Sequence, residues 1–327
     1  MNPAALVIGV DGGGTSTTAW LAEADGKVLG RGVAGPSNAK AVGPENARKA
    51  LETAIHAAFA DAVRPAETVT VACFGLAGFD RPEDKKLLED WSAADAWARK
   101  LVLVNDGELV LAAGTPEGFG VALISGTGSI SVGKAPGGRE ARAGGWGHLF
   151  GDEGSAYDVA LAGLRLIAQR HDGRDALRTL RPSKAKENGQ APSGGALTEH
   201  VCRHLSIDGP GRLVTTIYSG AFDRTRIAAL APIVVASADD DPAVASWILE
   251  PAGYELGRTA LAVARALDWD GPILPLAMAG GFLLSATPVS EAMLAYLKKF
   301  SKMEVRESRV TDPVAGAIVL ARRALTP

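Results

Sequence analysis

Residues 4–10 form an uninterrupted apolar run ending at Asp11, the pattern of a strand covered on both faces. Residues 17–23 predict a second strand, and Asp25-Gly26, a strong hairpin pair, turns it into a third near 27–34. Pro44 opens a helix through Ala62, because Ala47, Leu51, Ala54, Ile55 and Ala58 recur at helical spacing. A fourth strand over 68–74 enters Gly75-Leu76-Ala77-Gly78, a helix spans about Pro82 to Trp97, and 101–104 is a fifth strand. Three strands, then helix, strand, helix and strand, make up the unit of a ribonuclease-H-like layer, a mixed sheet with helices packed on it.

A similar order then begins again. Residues 119–124 and 129–134 predict strands joined by Gly-Thr-Gly, with a third near 139–143 and a long helix from Glu153 to about Arg170. Several helices follow, the last over 242–268. A strand at 272–279 leads to Ala279-Gly280-Gly281, and a helix over 287–299, a strand over 303–310 and a helix over 312–324 complete the chain. Residues 182–195, rich in Pro, Gly, Ser and Lys, predict an exposed loop. The expected fold is therefore α/β, a duplicated architecture with a ligand-binding cleft between its halves.

Composition narrows the function. A net charge of −3 offers no basic footprint for nucleic acid. The two cysteines, Cys73 and Cys202, lack metal-ligand spacing and fit a reducing compartment. No apolar run approaches the ~20 residues of a membrane span, and no signal peptide is apparent, so a soluble cytoplasmic protein is expected.

Chemistry concentrates at strand ends. Asp11-Gly12-Gly13-Gly14-Thr15-Ser16-Thr17 carries more glycine and hydroxyl than a hairpin requires. Glycine allows a close backbone approach, so successive amides can converge on a phosphate. Asp11 can hold Mg²⁺ through water. Ser125-Gly126-Thr127-Gly128-Ser129 has the same character. Asp106, after the strand 101–104, is either a plain helix cap or a general base. Between Ala143 and Ser155, five glycines surround Trp146, His148, Asp152 and Glu153, with Asp152 either an N-cap or a ligand for sugar hydroxyls. Asn38 and Gly280-Gly281 are turns by default and ligand contacts by hypothesis. Gly128 to Lys134 matches G-x-x-x-x-G-K, but Ala135 stands where a P-loop needs Ser or Thr, and no Rossmann fingerprint occurs.

Taken in order, these blocks, with Gly-Gly-Trp-Gly-His-x-x-Gly-Asp-Glu-Gly-Ser (144–155) and Pro-Val-x-Gly-Ala (313–317), resemble the BadF/BadG/BcrA/BcrD ATPase family of the actin/Hsp70/sugar-kinase superfamily. The resemblance covers nearly the whole chain. It implies two actin-like ATPase domains, one of about 1–113 plus 312–327 and one of 114–311 with helical insertions. It also implies an ATP-dependent kinase acting on the C6 hydroxyl of N-acetylglucosamine or glucosamine. Asp106 would be the base. Gly12 to Ser16 and Gly126 to Gly128 would hold the phosphates, Asp11 the Mg²⁺, and Gly280, Gly281 and Ser285 would lie near adenosine. Asn38, Ser129, Gly145, Trp146, Gly147 and Asp152 would surround the sugar.

Two positions depart from the family pattern. Ile130 stands where many animal members carry a sugar-contacting asparagine, which widens the expected range toward other hexoses. Ser16 replaces a common lysine. The expected partner is a small amino sugar or hexose, with a homodimer admitted. The competing readings are a broad hexokinase, a non-catalytic sugar sensor, and the ATP-driven activator of an acyl-CoA reductase or dehydratase, which would need cysteines placed to hold an iron–sulfur cluster.

Overall fold

The computed structural model describes residues 5–77, 82–115, 117–174 and 194–325. Gly78 and most of the predicted loop at 182–195 lie outside these residues.

The chain forms two compact units, Met1–Ala122 with Ser308–Pro327, and Leu123–Glu307. The strands of the first unit are β1 (Leu6–Gly12), β2 (Thr17–Glu23), β3 (Val28–Ala34), β4 (Val69–Leu76) and β5 (Ala98–Val104), in the order β3-β2-β1-β4-β5. β1 runs antiparallel to β2 and parallel to β4, and β4 runs parallel to β5, so the sheet is mixed as expected. Helices α1 (Ala39–Val42) and α2 (Pro44–Asp61) follow β3, α3 (Pro82–Asp95) follows β4, and α4 (Asp106–Gly114) follows β5. One core joins β1, β2 and β4 to α2 through Ile8, Leu21, Leu51, Ile55 and Phe74. The opposite face buries Val7, Cys73 and Leu109 under the last helix, α13 (Val314–Arg323). That packing is close: a Cβ on Gly316 would lie 1.9 Å from the Leu109 carbonyl oxygen.

The second sheet has the order β10-β9-β6-β7-β8, from β6 (Gly120–Ser125), β7 (Ser129–Lys134), β8 (Glu140–Gly144), β9 (Ile273–Ala279) and β10 (Glu304–Arg309). Its helices are α5 (Ala156–His171), α6 (Gly195–Leu205), α7 (Leu213–Ile217), α8 (Arg224–Ala228), α9 (Ala231–Asp240), α10 (Glu250–Ala266), α11 (Gly281–Ser285) and α12 (Thr287–Phe300). The predicted helix over 242–268 is instead a π turn at Ala245–Leu249 followed by α10. Pro251 has no amide to donate to an upstream carbonyl, and Glu250 bonds five residues back, to Ala245. The helix expected from Glu153 begins at Ala156, because Ser155 caps it.

Candidate active site

In the first unit, Asp11 pairs with Thr18 on one side and Gly75 on the other, and Gly75 pairs with Val104. The carboxyl ends of β1, β4 and β5 therefore share one sheet edge. Two strand spacings put Asp11 about 10 Å from Val104. Asn105 comes next and caps α4: its side chain accepts the Glu108 amide at 3.0 Å, and Glu108 reaches back in a capping box. Asp106 is thus the first helical residue and not the cap. Its Oδ1 accepts the Gly107 amide at 3.0 Å. Burial, and to a lesser extent the charge of Asp106, push the Asp11 carboxyl up to about 6.

The first glycine loop is pinned by its backbone. The Gly12 carbonyl accepts the Ala77 amide, the Gly13 carbonyl accepts the Ser37 amide, and the Gly13 amide donates to the Ser16 carbonyl. Gly12 leaves no room for a Cβ unless its neighbours shift, since one would lie 2.3 Å from Ser37 Oγ and 2.4 Å from Leu76 Cδ2. Gly14, Thr15 and Ser16 are exposed, as a ligand-facing turn requires. Asn38 caps α1 by accepting the Lys40 amide at 3.1 Å. A single half-buried carboxylate beside a second negative charge fits a magnesium ion that keeps most of its water and draws its other ligands from phosphates. Among the described residues, no cluster of three His, Cys, Asp or Glu side chains stands ready for a metal.

The second unit ties its glycine loop to the segment before α5. The Gly126 carbonyl accepts the Ala156 amide, and the Gly126 amide donates to the Gly128 carbonyl. The Ser125 hydroxyl donates to the Gly154 carbonyl, and the Ser129 hydroxyl to the Glu153 carbonyl. The Gly145 amide donates to the Ser129 carbonyl. Asp152 sits at the centre, 3 % exposed, with a left-handed φ of 63°. Its Oδ1 accepts the Ser129 amide at 3.2 Å, and its Oδ2 pairs with Arg224 Nη2 at 2.7 Å. Because Ser155 is the cap of α5, the carboxylate of Asp152 is spared for this role.

The structure therefore sets Gly128 and Ser129 against the buried Asp152 carboxylate, with Gly126 and Gly145 tied into the same loops through backbone bonds to Gly128 and Ser129. Trp146 is 71 % exposed, and Gly147 beside it has φ +84°. Gly280 meets the root of the same glycine loop: at φ +96°, a Cβ there would lie 2.2 Å from the Ser125 carbonyl oxygen. Gly281 opens α11, and the Ser285 hydroxyl is turned back onto the Gly281 carbonyl at 2.7 Å. Lys134 pairs with Glu140 on the neighbouring strand, consistent with setting the P-loop match aside. Arg224 escaped the sequence reading because it lies 72 residues beyond Asp152, on a five-residue helix of ordinary pattern.

The cysteines do not suit an exposed cluster. Cys73 is buried within β4, and burial, then Glu108, push its thiol up to about 12. Cys202 lies on α6.

The model of the BadF/BadG/BcrA/BcrD ATPase family matches residues 8–321. The chain belongs to that family. It is 30% identical over 317 residues to an N-acetylmuramic acid/N-acetylglucosamine kinase of Clostridium acetobutylicum, covering 97% of this chain and 98% of that protein. It is 28% identical over 328 residues to an N-acetyl-D-glucosamine kinase of Dictyostelium discoideum, covering 97% of each. A solved structure of a candidate N-acetylglucosamine kinase from Chromobacterium violaceum matches 97% of this chain and 99% of its own, with a TM-score of 0.70 at 26% identity. The expected family and the two-sheet α/β fold are both borne out.

Proposed function

We propose that this protein is an ATP-dependent kinase that phosphorylates the C6 hydroxyl of N-acetylglucosamine or glucosamine. The observation that carries the reading is Asp106. It stands at the strand-end edge that also bears Asp11, and Asn105 has relieved it of helix capping. Support comes also from the kinases to which the chain is similar along nearly its whole length.

In this reading Asp106 accepts the proton of the sugar hydroxyl. The hydroxyl oxygen bonds to the γ-phosphorus as the bond to the bridging oxygen breaks, releasing ADP. The amides and hydroxyls of Gly12 to Ser16 and of Gly126 to Gly128 are assigned to the phosphates. Gly280, Gly281 and Ser285 belong to the adenosine side. Asn38, Ser129, Gly145, Trp146, Gly147 and Asp152 belong to the sugar side. Magnesium, held by Asp11 through water, would offset the charge on the β- and γ-phosphates.

Ile130 supports a wider hexose range, since its Cδ1 would lie 2.8 Å from a Cβ on Gly145 and presents only carbon to that loop. An ADP-release assay over N-acetylglucosamine, N-acetylmuramic acid, glucosamine, glucose and N-acetylmannosamine tests the substrate class. Asp106→Asn should lower kcat by about 10²- to 10⁴-fold while sugar binding, measured by calorimetry, persists. Unchanged kcat would refute the assignment.

A further inference from the structure

Asp152 owes its orientation to its surroundings. It is buried, and its backbone is left-handed, a conformation that aspartate tolerates better than most residues with a Cβ. Each carboxylate oxygen has one holder. The Ser129 amide holds Oδ1 at 3.2 Å, a long hydrogen bond, whereas Arg224 Nη2 holds Oδ2 at 2.7 Å with a full positive charge. Charge-assisted bonds of that length are the stronger kind.

Arg224 reaches Asp152 with a side chain that is itself 38 % exposed. Its ion-pair partner among the described residues is Asp152, and its Nε is buried without a hydrogen-bond partner. The guanidinium thus meets the carboxylate end-on through a single nitrogen. A guanidinium serving as a general strut would spread its donors over several acceptors. Room for the pair is made at Gly128, where a Cβ would lie 2.2 Å from Arg224 Nη2 and 2.9 Å from both Asp152 carboxylate oxygens. Glycine at position 128 therefore has a reason independent of phosphate binding.

We propose that Arg224 is a positioning residue of the sugar side, acting through Asp152: it keeps that carboxylate aimed so that it can accept sugar hydroxyls. This rests on the assignment of Asp152 to the sugar. Without the guanidinium, the buried carboxylate loses its charged partner, and with it the contact that fixes its direction.

The test compares Arg224→Ala, Arg224→Lys, Asp152→Ala and the Arg224→Ala/Asp152→Ala double variant, with N-acetylglucosamine and Mg-ATP as probes. Arg224→Ala should raise the sugar KM by about tenfold or more, with the ATP KM unchanged. Arg224→Lys should recover part of the loss. The double variant should be no worse for sugar than Asp152→Ala alone, because Arg224 then has nothing left to position. Arg224→Met, which keeps the aliphatic stem, replaces Arg224→Ala if circular dichroism shows that variant unfolded. Additive losses in the double variant, an equal rise in the ATP KM, or no rescue by lysine would overturn the role of Arg224 alone. An unchanged sugar KM in Asp152→Ala would overturn the sugar-site reading beneath it.

Discussion

Asp11 should make the ligand-free protein less stable as the pH rises, and Asp11→Asn should remove that penalty. The carboxyl moves from 3.8 to about 6 in the folded chain. The folded state therefore binds the proton more tightly than the unfolded state. Between about pH 4 and pH 6 the native form holds more protons, so its stability falls as the pH rises through this window and levels off above it. A shift of about 2 units corresponds to a ceiling of about 3 kcal/mol. At pH 7.5 in chelator, Asp11→Asn should be more stable than the parent by up to that amount, or roughly 5 to 10 °C in Tm for a unit of this size. At pH 4 the two should melt together.

The assay is a thermal melt at half-unit pH steps without nucleotide or metal. A gap that stays constant with pH would refute the argument, as would a variant less stable at pH 7.5. The same substitution should cost most of the phosphoryl-transfer activity. This is the trade expected where a site stores unfavourable charge that its ligand relieves.

Gly280→Ala should lose about 2 to 5 kcal/mol, since it adds a strained φ to a backbone clash with Ser125; an unchanged Tm would contradict the contact. Gly316→Ala should destabilise by about 1 to 3 kcal/mol through the Leu109 carbonyl while leaving both KM values unaltered; a lower Tm with shifted substrate affinities would contradict a purely packing role. Ile130→Asn should raise the preference for the N-acetyl over the free-amine sugar by about tenfold, read as the ratio of kcat/KM values; an unchanged ratio would count against a place at the sugar.

The strands and their loops were legible because each chemical element interrupts an apolar run: Asp11 after β1, Asn105-Asp106 after β5, Gly126 after β6. The division of labour within a turn was harder to read. Asn105 and Asp106 are both good caps, and likewise Asp152 and Ser155; only the backbone decides which of each pair bonds the third amide. Arg224 could not be found from pattern, because long-range ion pairs leave no periodic trace. The π turn before α10 was not legible, because a proline such as Pro251 near a helix start is as compatible with an ordinary first turn.

The burial of Cys73 has a practical consequence. One native thiol lies in each unit, Cys73 in the core of β4 and Cys202 on the partly exposed α6. At neutral pH an alkylating dye should tag Cys202 in the native state and reach Cys73 only when the first sheet parts. The rate of the slower adduct, followed by mass spectrometry, is then a clock for opening of the first unit, with no engineered label required.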